Sequence, residues 1–338
     1  MTTTTRIVLA QRPHGEPTDD DLVEEQATLS DPEPGQALLQ TLYLSLDPYM
    51  RGRMSDAKSY AEPVAVGDPM VGGTVSRVID CPGGEFAAGD IVLGYGGWQT
   101  YSLEAVSYLR RLDPDAAPVS TALGVLGMPG FTAYAGLREI GRPEPGETVA
   151  VAAATGPVGS AVGQIAKAWG ARTVGIAGGE KKVAHLRELG FDEAIDHRAD
   201  DFADRLAAAT PDGIDVYFEN VGGKVFEAVL PRMNTYGRIP VCGLVSGYNS
   251  TSLPEGPDRS GLLLGAILTS SLTLRGFIQT EFVDTVMDDF VRDMTAWVAH
   301  GTVQYTEDVV DGFENVRDAF RGLLVGKNFG KLVVKVAD

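Results

Sequence analysis

The residues best spaced for chemistry lie between Val149 and Gly163. There an apolar run, Val149-Ala-Val-Ala-Ala-Ala154, passes through Thr155-Gly156-Pro157-Val158-Gly159 into a segment of helical pattern. An A-x-G-x-x-G turn between strand and helix suits the pyrophosphate of a dinucleotide. That group needs backbone N–H donors at a helix N-terminus and glycines that let the main chain come close. Gly156 would permit the approach and Gly159 the tight packing of helix on strand, while Ala154 stands where the usual fingerprint has its first glycine. About 20 residues further on, an NAD site places Asp or Glu on the ribose 2′-hydroxyl. This chain reads Ile176-Ala177-Gly178-Gly179 there, followed by Lys181 and Lys182. No carboxylate repels a 2′-phosphate, and two lysines in the first turn of a helix oppose its dipole, so an anionic partner explains them better than helix stability does. The pattern predicts NADP(H) as cofactor.

Two kinds of element must carry these residues. With 338 residues the chain is longer than one core usually supports, so two domains are expected. Through about residue 125 it reads as strands and turns. Gln36–Leu46 alternates apolar and polar positions, Val71–Ile79 follows a Gly-Asp-Pro turn, and Gly89–Leu93 runs into the Gly-rich turn 94–97, predicting an all-β, barrel-like domain. From about Thr148 strand, Gly-rich turn and helix repeat, the pattern of an α/β doubly wound parallel sheet. Strands are predicted at Thr148–Ala153, Arg172–Ala177, Glu193–Asp196, Ile214–Glu219, Gly237–Cys242 and Leu272–Ile278, with helices beginning near Gly156, Glu180, Asp200, Gly223 and Asp258. Between Glu281 and His300, Val283, Val286, Met287, Phe290, Met294, Trp297 and Val298 share one helical face, expected to be core. After Gly301 come a short strand, an amphipathic helix over Phe313–Leu324 and a closing strand Gly330–Val336, a tail expected to complete the first domain.

Composition narrows the partners. Apolar residues make up 44% and charged residues 22%, an ordinary globular balance. Lys and Arg number 28 against 46 Asp and Glu, a net charge of −18 that repels nucleic acid and anionic membrane surfaces. The apolar run Gly261–Leu268 is far short of the ~20 residues that span a bilayer, and the first dozen residues lack the apolar stretch of a secretory signal, so a cytoplasmic location is expected. Two cysteines, Cys81 and Cys242, and four scattered histidines lack metal-ligand spacing, so no metal is expected.

Further segments carry a resemblance: Leu44-Ser-Leu-Asp-Pro-Tyr49-Met-Arg-Gly-Arg-Met54, Met128-Pro-Gly-Phe-Thr-Ala-Tyr134, Tyr217-Phe-Glu-Asn-Val-Gly-Gly223, Gly237-Arg-Ile-Pro-Val-Cys-Gly-Leu-Val-Ser-Gly-Tyr-Asn249 and Lys327-Asn-Phe-Gly-Lys331. With Ile195–Phe202 they make the sequence resemble, over nearly its whole length, the zinc-independent medium-chain dehydrogenase/reductases. Within them it is similar to the NADPH-dependent alkenal double-bond reductases, a group that includes prostaglandin reductases and, nearest here, bacterial curcumin reductases. The resemblance implies a GroES-like β domain at 1–125 and 305–338 flanking a Rossmann domain at 126–304. It implies that Gly156, Pro157, Val158 and Gly159 hold the pyrophosphate and that Lys182 meets the 2′-phosphate. His197 stands where many relatives have a tyrosine. Imidazole donates more strongly when charged, so NADPH preference is expected to weaken above neutral pH. Asn220, Cys242, Gly243, Leu244, Val245, Ser246, Gly247, Tyr248, Phe277, Ile278, Gln279 and Asn328 would surround the rest of the cofactor.

The implied chemistry is hydride addition to the β-carbon of an enal or enone, with charge collecting on the carbonyl oxygen. Tyr248 is the candidate hydrogen-bond donor there, acting with a cofactor ribose hydroxyl before proton delivery to the α-carbon; the alternative is an aromatic wall. Tyr49 would line the substrate side. Arg51 and Arg53 either act there or pair with local acids, and Thr132 either orients the nicotinamide amide or caps a helix. The loops Ser55–Pro63 and Tyr248–Asp258 would set pocket size. A quinone reductase of the same superfamily and a non-catalytic NADPH-binding protein are the rival readings. A homodimer is expected, because Leu272–Ile278 would be a sheet edge.

Overall fold

The turn-rich first third folds as strands. Thr2–Leu9 (β1) pairs antiparallel with Leu22–Leu29 (β2), and Gln36–Ser45 (β3) leads to a short helix, Tyr49–Arg53 (α1). Thr74–Asp80 (β4), Ile91–Gly94 (β5), Tyr101–Ala105 (β6) and Arg110–Arg111 (β7) follow. This computed structural model describes residues 1–252 and 256–338, so residues 253–255 of the predicted loop Tyr248–Asp258 lie outside the described residues.

Next comes Met128–Gly136 (α2), then strand and helix in alternation: Thr148–Ala152 (β8), Pro157–Ala168 (α3), Arg172–Ala177 (β9), Glu180–Glu188 (α4), Glu193–Asp196 (β10), Phe202–Ala209 (α5), Ile214–Phe218 (β11), Gly223–Val229 (α6), Met233–Val241 (β12), Ser260–Ser270 (α7), Thr273–Gly276 (β13) and Val283–Ala299 (α8). Glu307–Asp311 (β14), Val316–Leu324 (α9) and Lys331–Lys335 (β15) close the chain.

Two units result. One comprises Met1–Gly124, Glu307–Asn328 and Leu332–Asp338; the other comprises Val125–Thr306 and Phe329–Lys331. In the first, β15 pairs antiparallel with β3, and the sheet runs β14-β15-β3-β4-β5-β7 with β6 also on β3. The buried face of α9, Val316, Phe320 and Leu323, closes its core, with Phe320 edge-on to the fully buried Trp98 at 5.2 Å. In the second, the described strands form a parallel sheet in the order β10-β9-β8-β11-β12-β13. Chain direction across it reverses between β8 and β11, and ligands of such sheets bind outside the carboxyl ends of the strands at that point.

Three departures from the sequence reading have local causes. α1 forms where only strands and turns were expected, since Pro48 starts a helical turn that buries Met50 and Arg51. β12 begins four residues before the expected Gly237, at Met233, because the strand runs through a register shift with Tyr236 at φ +67°, which breaks the period-2 pattern. Along α8, Val286, Phe290 and Met294 are buried as expected, but Val283, in its first turn, is exposed.

Candidate functional site

At the end of β8 the chain turns through Ala153, which takes φ +50°, and enters α3 with Gly156 just before Pro157 at the first helical position. Pro157 has no N–H to lose there, and no side chain caps the helix, so its first-turn amides are left to a ligand or water. A Cβ at Gly159 would lie 2.4 Å from the Ala153 carbonyl oxygen and 2.8 Å from Ala154 Cα. Only glycine lets α3 pack this closely on the turn. Gly156 is less constrained, with an ordinary φ of −73° and its nearest contact, the same carbonyl, at 3.3 Å. The left-handed residue is Ala153, one position before the Ala154 that the fingerprint singles out. These features fit a pyrophosphate.

One strand over, the ends of β9 and β10 meet. The Asp196 carboxylate accepts the N–H groups of Gly179 and Arg198, each at 2.9 Å. Burial opposes its ionisation, but these bonds hold it below the usual carboxylate range. Asp196 therefore shapes the turn through backbone bonds. Over that turn lie two basic side chains: a Cβ at Gly178 would sit 2.7 Å from Arg198 Nε and 2.9 Å from His197 Nε2. Partial burial, then the positive Arg198, pushes the His197 pKa down; Asp196 opposes this and Lys182 adds to it. Three basic groups thus converge on a glycine turn whose one carboxylate, Asp196, is engaged by the main-chain N–H groups of Gly179 and Arg198, an arrangement suited to a phosphate. Sequence reasoning named Lys182 and His197 and missed Arg198. The signal was present as a second basic residue directly after the β10 strand of an acidic chain.

On the other side of the phosphate turn, Asn220 follows β11 and its Nδ2 donates to the Ala152 carbonyl at 2.9 Å. The segment 242–248 is tied to it: Cys242 N–H donates to the Glu219 carbonyl at 2.9 Å, Val245 N–H to that of Asn220 at 3.2 Å and Ser246 N–H to that of Val221 at 3.1 Å. Burial, then the neighbouring Glu219, pushes the Cys242 thiol up to about 12, so it is not a thiolate nucleophile at neutral pH. Gly243 lies beside the Tyr248 hydroxyl, which is 3.3 Å from where a Cβ would be. Leu244 is exposed and Gly247 ends the helical turn before Tyr248. Gly156, Pro157, Val158, Gly159, Asn220 and Cys242–Tyr248 thus gather at the carboxyl ends of β8, β11 and β12.

Other residues take more structural places. The Phe277 ring packs edge-on against Phe218 at 6.1 Å, Ile278 N–H donates to Glu281 at 2.8 Å, and Gln279 opens the helical turn before α8. Thr132 caps nothing: it lies inside α2 and its hydroxyl donates to the Met128 carbonyl at 2.7 Å. In the first unit, Arg51 donates to the carbonyls of Gly15 at 2.8 Å and Pro13 at 3.4 Å. Tyr49 is half-buried on α1, and burial, then Asp47, raises its pKa well above that of a free phenol, so it stays a neutral hydroxyl. Asn328 is half-buried in the loop between α9 and β15. Among the described residues, no group of three His, Cys, Asp or Glu side chains could hold a metal ion, and no helix is long and apolar enough to cross a membrane.

Residues 5–112 match the N-terminal domain of oxidoreductase, and residues 157–298 match a family described as zinc-binding dehydrogenase. The chain is 55% identical to the NADPH-dependent curcumin reductase of Escherichia coli strain K12, over 98% of this chain and 96% of that one. It is 41% identical to prostaglandin reductase 1 of Rattus norvegicus over 95% of each chain. Among solved structures, CurA from Vibrio vulnificus in complex with NADPH superposes with a TM-score of 0.95 at 53% identity, covering 99% of both chains.

Proposed function

The chain belongs to the medium-chain dehydrogenase/reductases, in their alkenal and curcumin reductase group, and from that membership we propose that it reduces activated C=C bonds with NADPH. Its substrates on this reading are α,β-unsaturated aldehydes and ketones, bulky conjugated enones of the curcumin type included. The observation that carries the cofactor side is the cluster of Lys182, His197 and Arg198 around the Gly178–Gly179 turn, beside a phosphate turn that fits any dinucleotide.

When bound, NADPH supplies the hydride that the substrate β-carbon receives. The protein's part is to hold the cofactor and to meet the charge that develops on the carbonyl oxygen. We assign the pyrophosphate to Gly156, Pro157, Val158 and Gly159, the 2′-phosphate to Lys182, His197 and Arg198, and the remaining cofactor contacts to Asn220, the 242–248 segment, 277–279 and Asn328. Tyr248 is the proposed donor to the carbonyl oxygen. A phenol with a pKa near 10 donates a hydrogen bond readily and gives up its proton reluctantly, which suits stabilising an enolate rather than protonating it. Tyr49 is proposed on the substrate side.

We further propose a homodimer and a cytoplasmic location. The dimer reading is supported by β13 at the end of the sheet order and by α7, on which Leu262, Leu264 and Leu268 are 72%, 65% and 81% exposed. The location is in keeping with Cys81 and Cys242, both unbridged. Sedimentation that gave a monomer mass would remove the dimer.

The function is tested by following NADPH absorbance with 2-alkenals, phenylbutenone and curcumin, with a small quinone as the rival substrate and NADH as the control. Enone turnover well above quinone turnover is expected. Tyr248→Phe should lower enone kcat on the order of 10²-fold, the size expected for one lost oxyanion donor. Tight NADPH binding with no oxidation by any of these compounds defeats the proposal.

A further inference from the structure

Glu219, the first residue past β11, is buried to 1% exposure. A buried carboxylate needs compensation, and here it comes from the main chain rather than a cation. Its Oε1 accepts the N–H groups of Val221 at 2.6 Å and Gly222 at 2.8 Å. The Asn220 N–H also faces the carboxylate, while Glu219 Oε2 and the nearby Tyr217 hydroxyl are buried without a hydrogen-bond partner among the described residues. Successive amides curled around one anion form a nest, and Gly222 at φ +75° and Gly223 at φ +56° then lead the chain away from it into α6 through torsions that favour glycine. Burial pushes the Glu219 carboxyl up, and the amide bonds pull against that.

The residues so curled carry the neighbouring segment. Glu219 N–H donates to the Pro240 carbonyl at 2.9 Å, and its own carbonyl accepts Cys242 N–H at 2.9 Å and Gly243 N–H at 3.2 Å. Asn220 and Val221 offer the next two carbonyls to Val245 and Ser246, with Ser246 Oγ donating to Val221 at 2.6 Å. The Tyr248 hydroxyl lies beside Gly243, 3.3 Å from where a Cβ there would be. Three consecutive residues therefore tie Cys242, Gly243, Val245 and Ser246 to the end of β11, and the Glu219 carboxylate bonds the amides of the same stretch.

We propose that Glu219 is a positioning residue for the reaction: its carboxyl oxygen locks the 219–222 backbone, and through it holds Cys242–Tyr248 so that the Tyr248 hydroxyl is aimed. This rests on the reading of Tyr248 as the donor. The role needs an acceptor oxygen, which glutamine keeps and methionine, of similar volume, lacks.

The test uses the full-length enzyme with Glu219→Met, Glu219→Gln, Tyr248→Phe and the double variant Glu219→Met with Tyr248→Phe. Amide hydrogen exchange without cofactor reads the 242–248 segment, and enone turnover reads the consequence. Glu219→Met should speed exchange across 242–248 while leaving the α3 amides protected, and should lower kcat at least tenfold. Adding it to Tyr248→Phe should cost little more, because both act through one hydroxyl. Glu219→Gln should keep wild-type protection and keep kcat within about threefold. The proposal is overturned by unchanged exchange in Glu219→Met, by losses that multiply in the double variant, or by faster exchange in Glu219→Gln, which decides the matter should Glu219→Met fail to fold. An inert Tyr248→Phe would sink the donor reading instead, leaving the exchange comparison to judge the hold on the segment.

Discussion

The turns that follow β8 and β9 stand side by side, yet they are prepared for phosphate in opposite ways. The first uses main chain alone: Ala153 in the left-handed region, glycine at 159 and an uncapped helix start. Nothing in it distinguishes one dinucleotide from another. The second uses side chains, with Arg198 and His197 over Gly178, and there the positive Arg198 helps to hold the His197 pKa down. On the proposed reading, holding a dinucleotide and selecting among dinucleotides fall to different turns, and the two should be separable by mutation.

The largest effect is expected at Gly159. In Gly159→Ala the new methyl meets two backbone atoms that cannot rotate away, which costs about 1–3 kcal/mol of stability in urea denaturation. Affinity for NADPH and NADH should fall together, by roughly tenfold or more in fluorescence titrations. A loss confined to NADPH would erase the division of labour.

Lys182→Ala and Arg198→Ala should do the converse. Each removes a charge-assisted bond worth about 1.5–3 kcal/mol, raising the NADPH KM roughly tenfold or more while NADH changes little. Equal effects on both cofactors would take the mutated residue out of the 2′-phosphate site.

A smaller effect is expected from pH. In the free protein His197 is held below the usual histidine range by partial burial and by Arg198. A bound 2′-phosphate favours the charged ring, so NADPH binding takes up a proton. NADPH-over-NADH preference should therefore decline, by about a few-fold, as pH rises from about 6 to 8, while His197→Asn flattens the profile. Below about pH 6 protonation of the phosphate itself works the other way.

The smallest effect is Ala153→Gly. Relief of the left-handed alanine, about 1 kcal/mol, is nearly offset by the greater freedom of glycine in the unfolded chain. Tm should shift by no more than about 2 °C, with cofactor preference unchanged.

Local pattern made much of this visible beforehand. β9 and β10 fall on the predicted bounds, and α4 begins at the predicted Glu180, because the buried run of β9 and the glycines at 170, 178, 179 and 190 mark the chain at short range. The glycine turn from β8 into α3 was legible for the same reason. Arg198 was not, because its meaning depends on Gly178, twenty positions earlier, which the pairing of β9 with β10 brings under its guanidinium. Arg51 was open between local acids and the substrate; it donates to the Pro13 and Gly15 carbonyls and lies within the field of Asp21, contacts no spacing rule supplies.

Composition and periodicity by themselves determined an acidic α/β chain with a dinucleotide turn and no NAD-type acid after the second strand, since those features reside in neighbours along the chain. Only the tertiary structure decided which side chains share a turn, which carboxylate is buried against amides, and what the Tyr248 hydroxyl lies beside. Those are relations between strands far apart in sequence, and they exist only once the parallel sheet has set its order and register.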